Sequence, residues 1–455
     1  MNRVDCTVAV VGAGITGIAA AYYLCVAHQV RDVVLIDPNP PMSFTSAQSG
    51  ENYRNWWPHP VMTAFTDDSI DLMEQVARDS GNRLNMTRRG YALATRENPD
   101  ALIEELHRGY GAKADTSIRV HAADTPDTYH FDPSAGWENS PDGVDVLRDQ
   151  DIIRRTFPTY AGDISTVIHI RRAGDISGQQ LGQYMLECLR ASGGRLITGS
   201  VVSIDPSDGF ILDVGGHDEI RQIRCGKIVN AAGPFAGEVA EMVGVTLPVT
   251  NVFQQKIAFE DRAGVIPRRM PFSIDLDAQF IDWSDEETEL LRQDSQIAWL
   301  TERMPGAIHC RPDGGEHGRW IKLGWAYEQD PTAVQWEPQV DGHFPEIVLR
   351  GASRLNPGLK TYYGALPRQM THYGGYYTMT DENWPLIGPM GVEGSYVAGA
   401  LSGFGTMAAC AAGSLCAKWL AGDDLPDYAA DLSLARYENT ALLAGLAEMQ
   451  SKGVL

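Results

Sequence analysis

The sequence predicts an α/β fold in which a Rossmann-type nucleotide-binding domain is interleaved with a mostly antiparallel β-sheet substrate domain. Three observations carry this reading. Residues 8–17 read V-A-V-V-G-A-G-I-T-G, an apolar strand run that breaks into Gly12-x-Gly14-x-x-Gly17. An alanine-rich helical stretch (18–26) and a second apolar run (33–36) ending in Asp37 complete a βαβ unit. From residue 251 to about 363, by contrast, aromatic-rich strand-like runs alternate with Pro/Gly turns, as in antiparallel sheet. Finally, strand–glycine turn–helix patterns recur at 227–234 and 396–420, on either side of that β-rich stretch.

Each element has its own warrant. In the βαβ unit, Gly12 permits a tight turn, Gly14 lets backbone approach a pyrophosphate, and Gly17 lets helix pack on strand. The helix N-terminus turns its positive dipole end to the phosphates, and Asp37 can accept hydrogen bonds from a ribose. Residues 67–80 place Ile70, Met73, Val76 and Ala77 on one helical face, and 91–95 read as a short strand. Residues 111–147 are rich in Asp, Pro, Ser and Gly and read as loop. Residues 177–190 form an amphipathic helix closed by Gly193-Gly194. Strands are expected at 195–197, 201–204, 227–232, 307–311, 320–325 and 396–400, and a last helix at 405–420. The nucleotide-binding domain then takes 1–90, 151–250 and 366–455, and the substrate domain 91–150 and 251–365.

Composition narrows the function. The chain has 455 residues, ample for more than one core, and a net charge of −22 that repels nucleic acid and anionic membrane surfaces. Seven scattered cysteines show no metal-ligand spacing, which argues against zinc and for reduced thiols in the cytoplasm. Two uncharged stretches, 6–27 and 395–417, are too glycine-interrupted for a leader or a membrane span and read as core.

Four motifs in order, namely the Gly12 fingerprint, T-S-A-Q-S-G at 45–50, I-V-N-A-A-G-P at 228–234 and G-A-L-S-G-F-G at 399–405, carry a resemblance. The chain resembles the FAD-dependent amine and amino-acid oxidoreductases, a family that includes glycine oxidase, sarcosine oxidase and D-amino-acid oxidase. The resemblance implies FAD held by Gly12, Gly14, Gly17 and Asp37, by Thr45, Ser46, Ser49 and Gly50 near the flavin, and by Val201 at the adenine. It also implies contacts from Ala232 and Gly233, and from Gly403, Phe404 and Gly405 at the flavin's pyrimidine edge. The lesser alternative for the 45–50 loop is a solvated Ser/Thr loop, and for the last motif helix packing alone.

The C-terminal half looks most like the sarcosine-oxidase branch. There W-I-K-L-G-W at 320–325 implies Lys322 over the flavin, promoting reaction with oxygen; the alternative is a surface lysine on an edge strand. Tyr377, in G-Y-Y-T-M-T-D-E-N-W-P-L-I-G at 375–388, would face substrate. Arg54 would clamp a substrate carboxylate, a job suited to a bidentate guanidinium, or else pair with Glu51 or another acid. His59, His309 and His372 are candidates for the pocket wall or for structural roles. The chain also departs from that branch. Gly375 stands where the branch attaches FAD to a cysteine, so the FAD should be non-covalent. Met407, Phe404 and Ala326 replace a lysine and two histidines of its pocket.

The implied activity is oxidation of the C–N bond of a small amine, amino acid or N-methyl amino acid. Hydride would pass to flavin N5, the imine would hydrolyse, and oxygen or another acceptor would take the electrons. The alternatives are a 2-hydroxy-acid oxidoreductase on the same scaffold and a flavin-holding protein without turnover.

Overall fold

The computed structural model describes residues 3–132, 136–216, 220–315, 317–449 and 453. Its first sheet has eight strands built around a parallel core in the order Arg195–Thr198, Val33–Asp37, Arg3–Val11, Ile220–Asn230 and Ser395–Gly399. The inner strands are near-continuous runs of β-branched and apolar residues because both faces are covered. Ala9, Val10, Val34, Leu35, Ile228 and Val229 are fully buried. The helices Ile15–Tyr22, Gly178–Ala191 and Gly405–Ala421 contribute to the core on one face. The uncharged stretch at 395–417 therefore falls on a strand and a core helix, and no helix among the described residues is long and apolar enough to cross a membrane.

The second sheet has nine strands. In spatial order they are Thr371–Met379, Thr250–Glu260, Trp320–Gly324, Ile308–Asp313, Phe272–Asp275, Tyr91–Thr95, Thr166–Ile170, Val144–Leu147 and Ile118–His121. Most neighbours are antiparallel, and two pairs are parallel. Side chains alternate across it. Ile257, Phe259, Ile321, Leu323 and Trp325 pack with the helix Phe344–Ser353, while Lys256, His309, Arg311 and Lys322 take the opposite face.

Several sequence expectations need correction. The 111–147 stretch contains the strands Ile118–His121 and Val144–Leu147, tied by register to Thr166–Ile170. The strand at 227–232 is the end of a longer one, Ile220–Asn230, whose first half is partly exposed around the buried Ile223 and Cys225 and pairs with Phe210–Gly215. The helix read from 67 begins at Pro60, where His59 Nδ1 accepts the Val61 N–H and so satisfies one of the first-turn donors. The β-rich stretch also holds the helix Phe344–Ser353. The nine-stranded sheet reaches past residue 150 to Ile170 and past 365 to Met379, because these strands find their partners only in that sheet.

Candidate functional site

Two cavities lie side by side at the carboxyl end of the parallel strands, where open α/β sheets bind ligands. The first is walled by Gly12, Ala13, Gly14, Asp37, Thr45, Ser46, Ala232 and Gly233, with Phe44, Phe235 and Trp336 at its rim. Gly12 has φ +106°, and a Cβ there would collide with the Ala231 carbonyl. Only glycine lets the two strand ends approach so closely. Asp37 bridges the turn: Oδ2 accepts the Ala13 N–H at 2.7 Å and Oδ1 the Asn39 N–H at 2.8 Å. Burial raises its pKa, and the two backbone donors oppose that shift. The helix Ile15–Tyr22 has no side-chain cap at Gly14, and Ser46 Oγ accepts the Ile15 N–H at 3.0 Å.

The lining of this cleft suits a dinucleotide. Its floor is bare backbone at a helix N-terminus, and Thr45 Oγ1 is buried without any hydrogen-bond partner. Both features call for an oxygen-rich ligand. Val201 lies on the neighbouring strand but lines neither cavity. Gly17 packs against Gly12 beneath the turn, as its spacing implies.

The second cavity is lined by Ser49, Gly50, Arg54, Trp57, Tyr91, Lys256, His309, Tyr377, Gly403 and Phe404, among others. Gly405 lies just behind it as the first residue of the helix Gly405–Ala421, which has no side-chain cap and points its N-terminus at the cavity. Thr406 Oγ1 donates to Ser49 Oγ at 2.7 Å, joining the two loops. The backbone just before is strained, with φ +54° at Ala400 and +44° at Ser402. The Tyr377 ring covers Gly403. Gly375, two residues before it, points its missing side chain at Gln48 and Thr45 of the loop. No cysteine lines either cavity.

Charge is distributed unevenly. Arg54 is 3% exposed, and its guanidinium lies 5.0 Å over Trp57, 5.7 Å over Trp56 and 6.0 Å over Tyr91. It has no acidic partner among the described residues: Nη2 donates to the Gly453 carbonyl at 2.9 Å and Nη1 has no partner. Burial alone pulls its pKa down to about 10. The expected alternative, pairing with Glu51, is not what the structure shows. Glu51 instead accepts from Lys322 Nζ at 3.0 Å and lies 3.6 Å from Arg311, while Asp313 pairs with both cations at 3.4 and 3.0 Å. Lys322 therefore belongs to a self-neutralised cluster and does not line the cavity.

The lysine on the cavity wall is Lys256, which sequence reading missed. The sheet register explains its place. Tyr373, Lys256, Gly324 and His309 form one row across four strands. Gly324 leaves a gap, and a Cβ there would strike the His309 ring and crowd Lys256 Cγ. Lys256 Nζ reaches a point 5.4 Å over the Tyr377 ring and makes no ion pair among the described residues. His309 is half-buried, and desolvation and then Lys256 lower its pKa to about 3, so it is neutral. His59 caps a helix against Trp384, and His372 stacks on Phe344 and bonds Gln255; neither lines the cavity. Lys256 left no signal in the sequence, since F-Q-Q-K-I-A-F reads as an ordinary strand.

Comparison with known proteins agrees with this architecture. A family profile described as "FAD dependent oxidoreductase" matches residues 7–419, and the chain belongs to that family. Among solved structures it is similar to glycine oxidase from Geobacillus kaustophilus (TM-score 0.70, 16% identity, 96% of this chain and 99% of the other). It is similar to L-proline dehydrogenase from P. horikoshii to the same extent (TM-score 0.72, 16% identity, 96% and 99%). Iminodiacetate oxidase from Chelativorans sp. BNC1 follows (TM-score 0.66, 20% identity, 94% and 98%). No curated protein sequence matches. The chain is thus an FAD-dependent oxidoreductase, and the first cavity with the 45–50 loop provides the residues that fit FAD.

Proposed function

We propose that the protein oxidises the C–N bond of a small amine that carries a carboxylate, an amino acid or an N-methyl amino acid. The observation that carries this reading is Arg54, buried at the cavity wall without an acidic partner among the described residues. An unpaired buried charge is costly to the folded protein, and a bound carboxylate offsets that cost through two parallel hydrogen bonds. Lys256 adds a second unpaired cation to the same wall. FAD, when bound, supplies the two-electron acceptor; the chain's residues orient the substrate beside it.

The same cations act on the amine. Positive charge nearby disfavours a substrate ammonium and favours the free base, the form that can be oxidised. A 2-hydroxy acid would instead need a base for its hydroxyl proton. His309, the one histidine lining the cavity, has a pKa of about 3 and is a poor one. Reoxidation by oxygen or by another acceptor, a place near the sarcosine-oxidase branch, two interleaved domains, non-covalent FAD at Gly375 and a reducing cytoplasmic setting complete the proposal. Val201 retains its proposed place near the adenine end. Seven unpaired thiols support the last of these settings.

The deciding experiment is anaerobic bleaching of the bound flavin by amino acids, their decarboxylated amines and the matching 2-hydroxy acids. Amino acids should bleach it fastest. Equal rates with the amines would remove Arg54 from recognition, and faster bleaching by hydroxy acids would overturn the C–N assignment.

A further inference from the structure

The segment between the strand Trp320–Gly324 and the helix Phe344–Ser353 has no regular structure. A loop of this length inside a compact fold is uncommon and is usually functional. By sequence it belongs to the nine-stranded sheet, yet Trp336 reaches the rim of the nucleotide cleft of the other sheet. Its indole stacks on Phe235 (4.5 Å between ring centres, 29° between planes) and lies 4.9 Å from Phe44. Phe235 follows the Ala232–Gly233 turn and Phe44 precedes Thr45. One ring therefore bridges the aromatic rims of two cofactor motifs. Nevertheless Trp336 is 49% exposed, leaving much of a large apolar face uncovered.

The loop is pinned along one side. The Thr332 N–H donates to the Asn251 carbonyl at 2.7 Å and the Gln335 N–H to Tyr376 Oη at 2.9 Å. Gln254 Nε2 donates to the Glu328 carbonyl at 2.7 Å, and the Asp341 N–H to Gln255 Oε1 at 2.8 Å. All four anchors lie on the strands Thr250–Glu260 and Thr371–Met379. Tyr376 is the neighbour of Gly375, whose Cβ direction faces the 45–50 loop. The anchor thus stands beside the strand position that faces the 45–50 loop, and Trp336, between the pinned Gln335 and Asp341, lines the same cleft as the Gly12–Gly14 turn.

We propose that residues 326–343 are a clasp that holds FAD in its cleft, with Trp336 as the residue that closes over the cofactor's phosphate-bearing arm and Tyr376 as its hinge pin. The clasp is a retention device for a cofactor held by contacts alone, independent of which substrate the adjoining cavity takes.

The test uses deflavinated protein titrated with FAD, followed by flavin fluorescence anisotropy. Trp336→Ala should raise the FAD dissociation constant about tenfold or more, and Tyr376→Phe, which keeps the ring and loses the pin, by a few-fold. The melting temperature of each apoprotein should match the wild type, which separates lost retention from lost folding. Chymotrypsin cleavage at Trp336 in the wild type should slow by about tenfold when FAD is added, since a closed clasp withholds the bond. FAD affinity within about twofold of the wild type in Trp336→Ala, or cleavage indifferent to FAD, would overturn the proposal. If the alanine variant does not fold, the Tyr376→Phe titration and the proteolysis decide by the same criteria.

Discussion

At the nucleotide cleft, Gly12, Gly14 and Asp37 all come from the first forty residues, and the floor is made of backbone amides and missing side chains. At the adjoining cavity, Arg54, Lys256, His309 and Tyr377 come from four strands scattered along the chain, and charged or aromatic side chains make the wall. The cleft leaves no charged side chain unpaired among the described residues, its one carboxylate, Asp37, being occupied by two N–H donors. The cavity differs: among the described residues two cations face it unpaired, while beside it Lys322 and Arg311 are neutralised by Glu51 and Asp313. A generic cofactor can be held by fixed backbone geometry. A particular substrate is selected by what the pocket leaves unsatisfied.

The comparison breaks most visibly at Gly12. Gly12→Ala forces a β-carbon into the Ala231 carbonyl at φ +106°, which should cost about 4 kcal/mol or more and leave no FAD-loaded protein. Recovery of yellow protein with a normal melting temperature would show that the turn tolerates side chains.

Arg54→Met should act in opposite directions on stability and function. KM for a carboxylate substrate should rise on the order of 100-fold, about 3 kcal/mol of lost binding. The apoprotein should melt higher, because a buried charge without an acid is replaced by an apolar chain of similar length. A lower melting temperature would make Arg54 a structural residue.

His309 provides a pH handle. It titrates near 6.5 when unfolded and near 3 in the folded protein, so the unfolded state binds the extra proton between these values. Stability is unaffected by this group above about pH 6.5 and falls by about 1.4 kcal/mol per unit as the pH drops below it. His169, with its pKa also lowered to about 3 by burial, adds a second such contribution. Urea melts at pH 6.5 and 4.5 should differ by roughly 2–3 kcal/mol less in His309→Asn than in the wild type. An unchanged difference would place a charged imidazole in the cavity.

The two lysines give the smallest and sharpest contrast. Lys322→Met strips Glu51 and Asp313 of a half-buried partner and should lower stability by about 1–2 kcal/mol with KM unchanged. Lys256→Met should leave stability nearly unchanged and raise KM about tenfold. Slower reoxidation of the flavin by air should also follow the Lys256 variant; if it follows Lys322→Met, the lysine read from the sequence is the functional one.

The sequence by itself determined the floor of the nucleotide cleft, because Gly12 to Asp37 are contiguous and glycine spacing is a direct imprint of backbone geometry. It also determined that two kinds of sheet alternate along the chain, since β-branched buried runs and aromatic antiparallel runs read differently. It named Arg54, Tyr377 and His309, each placed on the cavity wall. Only the tertiary structure decided between Lys256 and Lys322. Both lie on one face of the same sheet, one row apart, and which one is free depends on where Glu51 and Asp313 fall. The same holds for the strand Ile118–His121, hidden in a loop-like stretch, and for Trp336, whose place over the cleft depends on hydrogen bonds to strands distant in sequence. Local geometry is written in neighbouring residues. Charge pairing and packing across sheets are set by long-range register, which no short stretch of sequence contains.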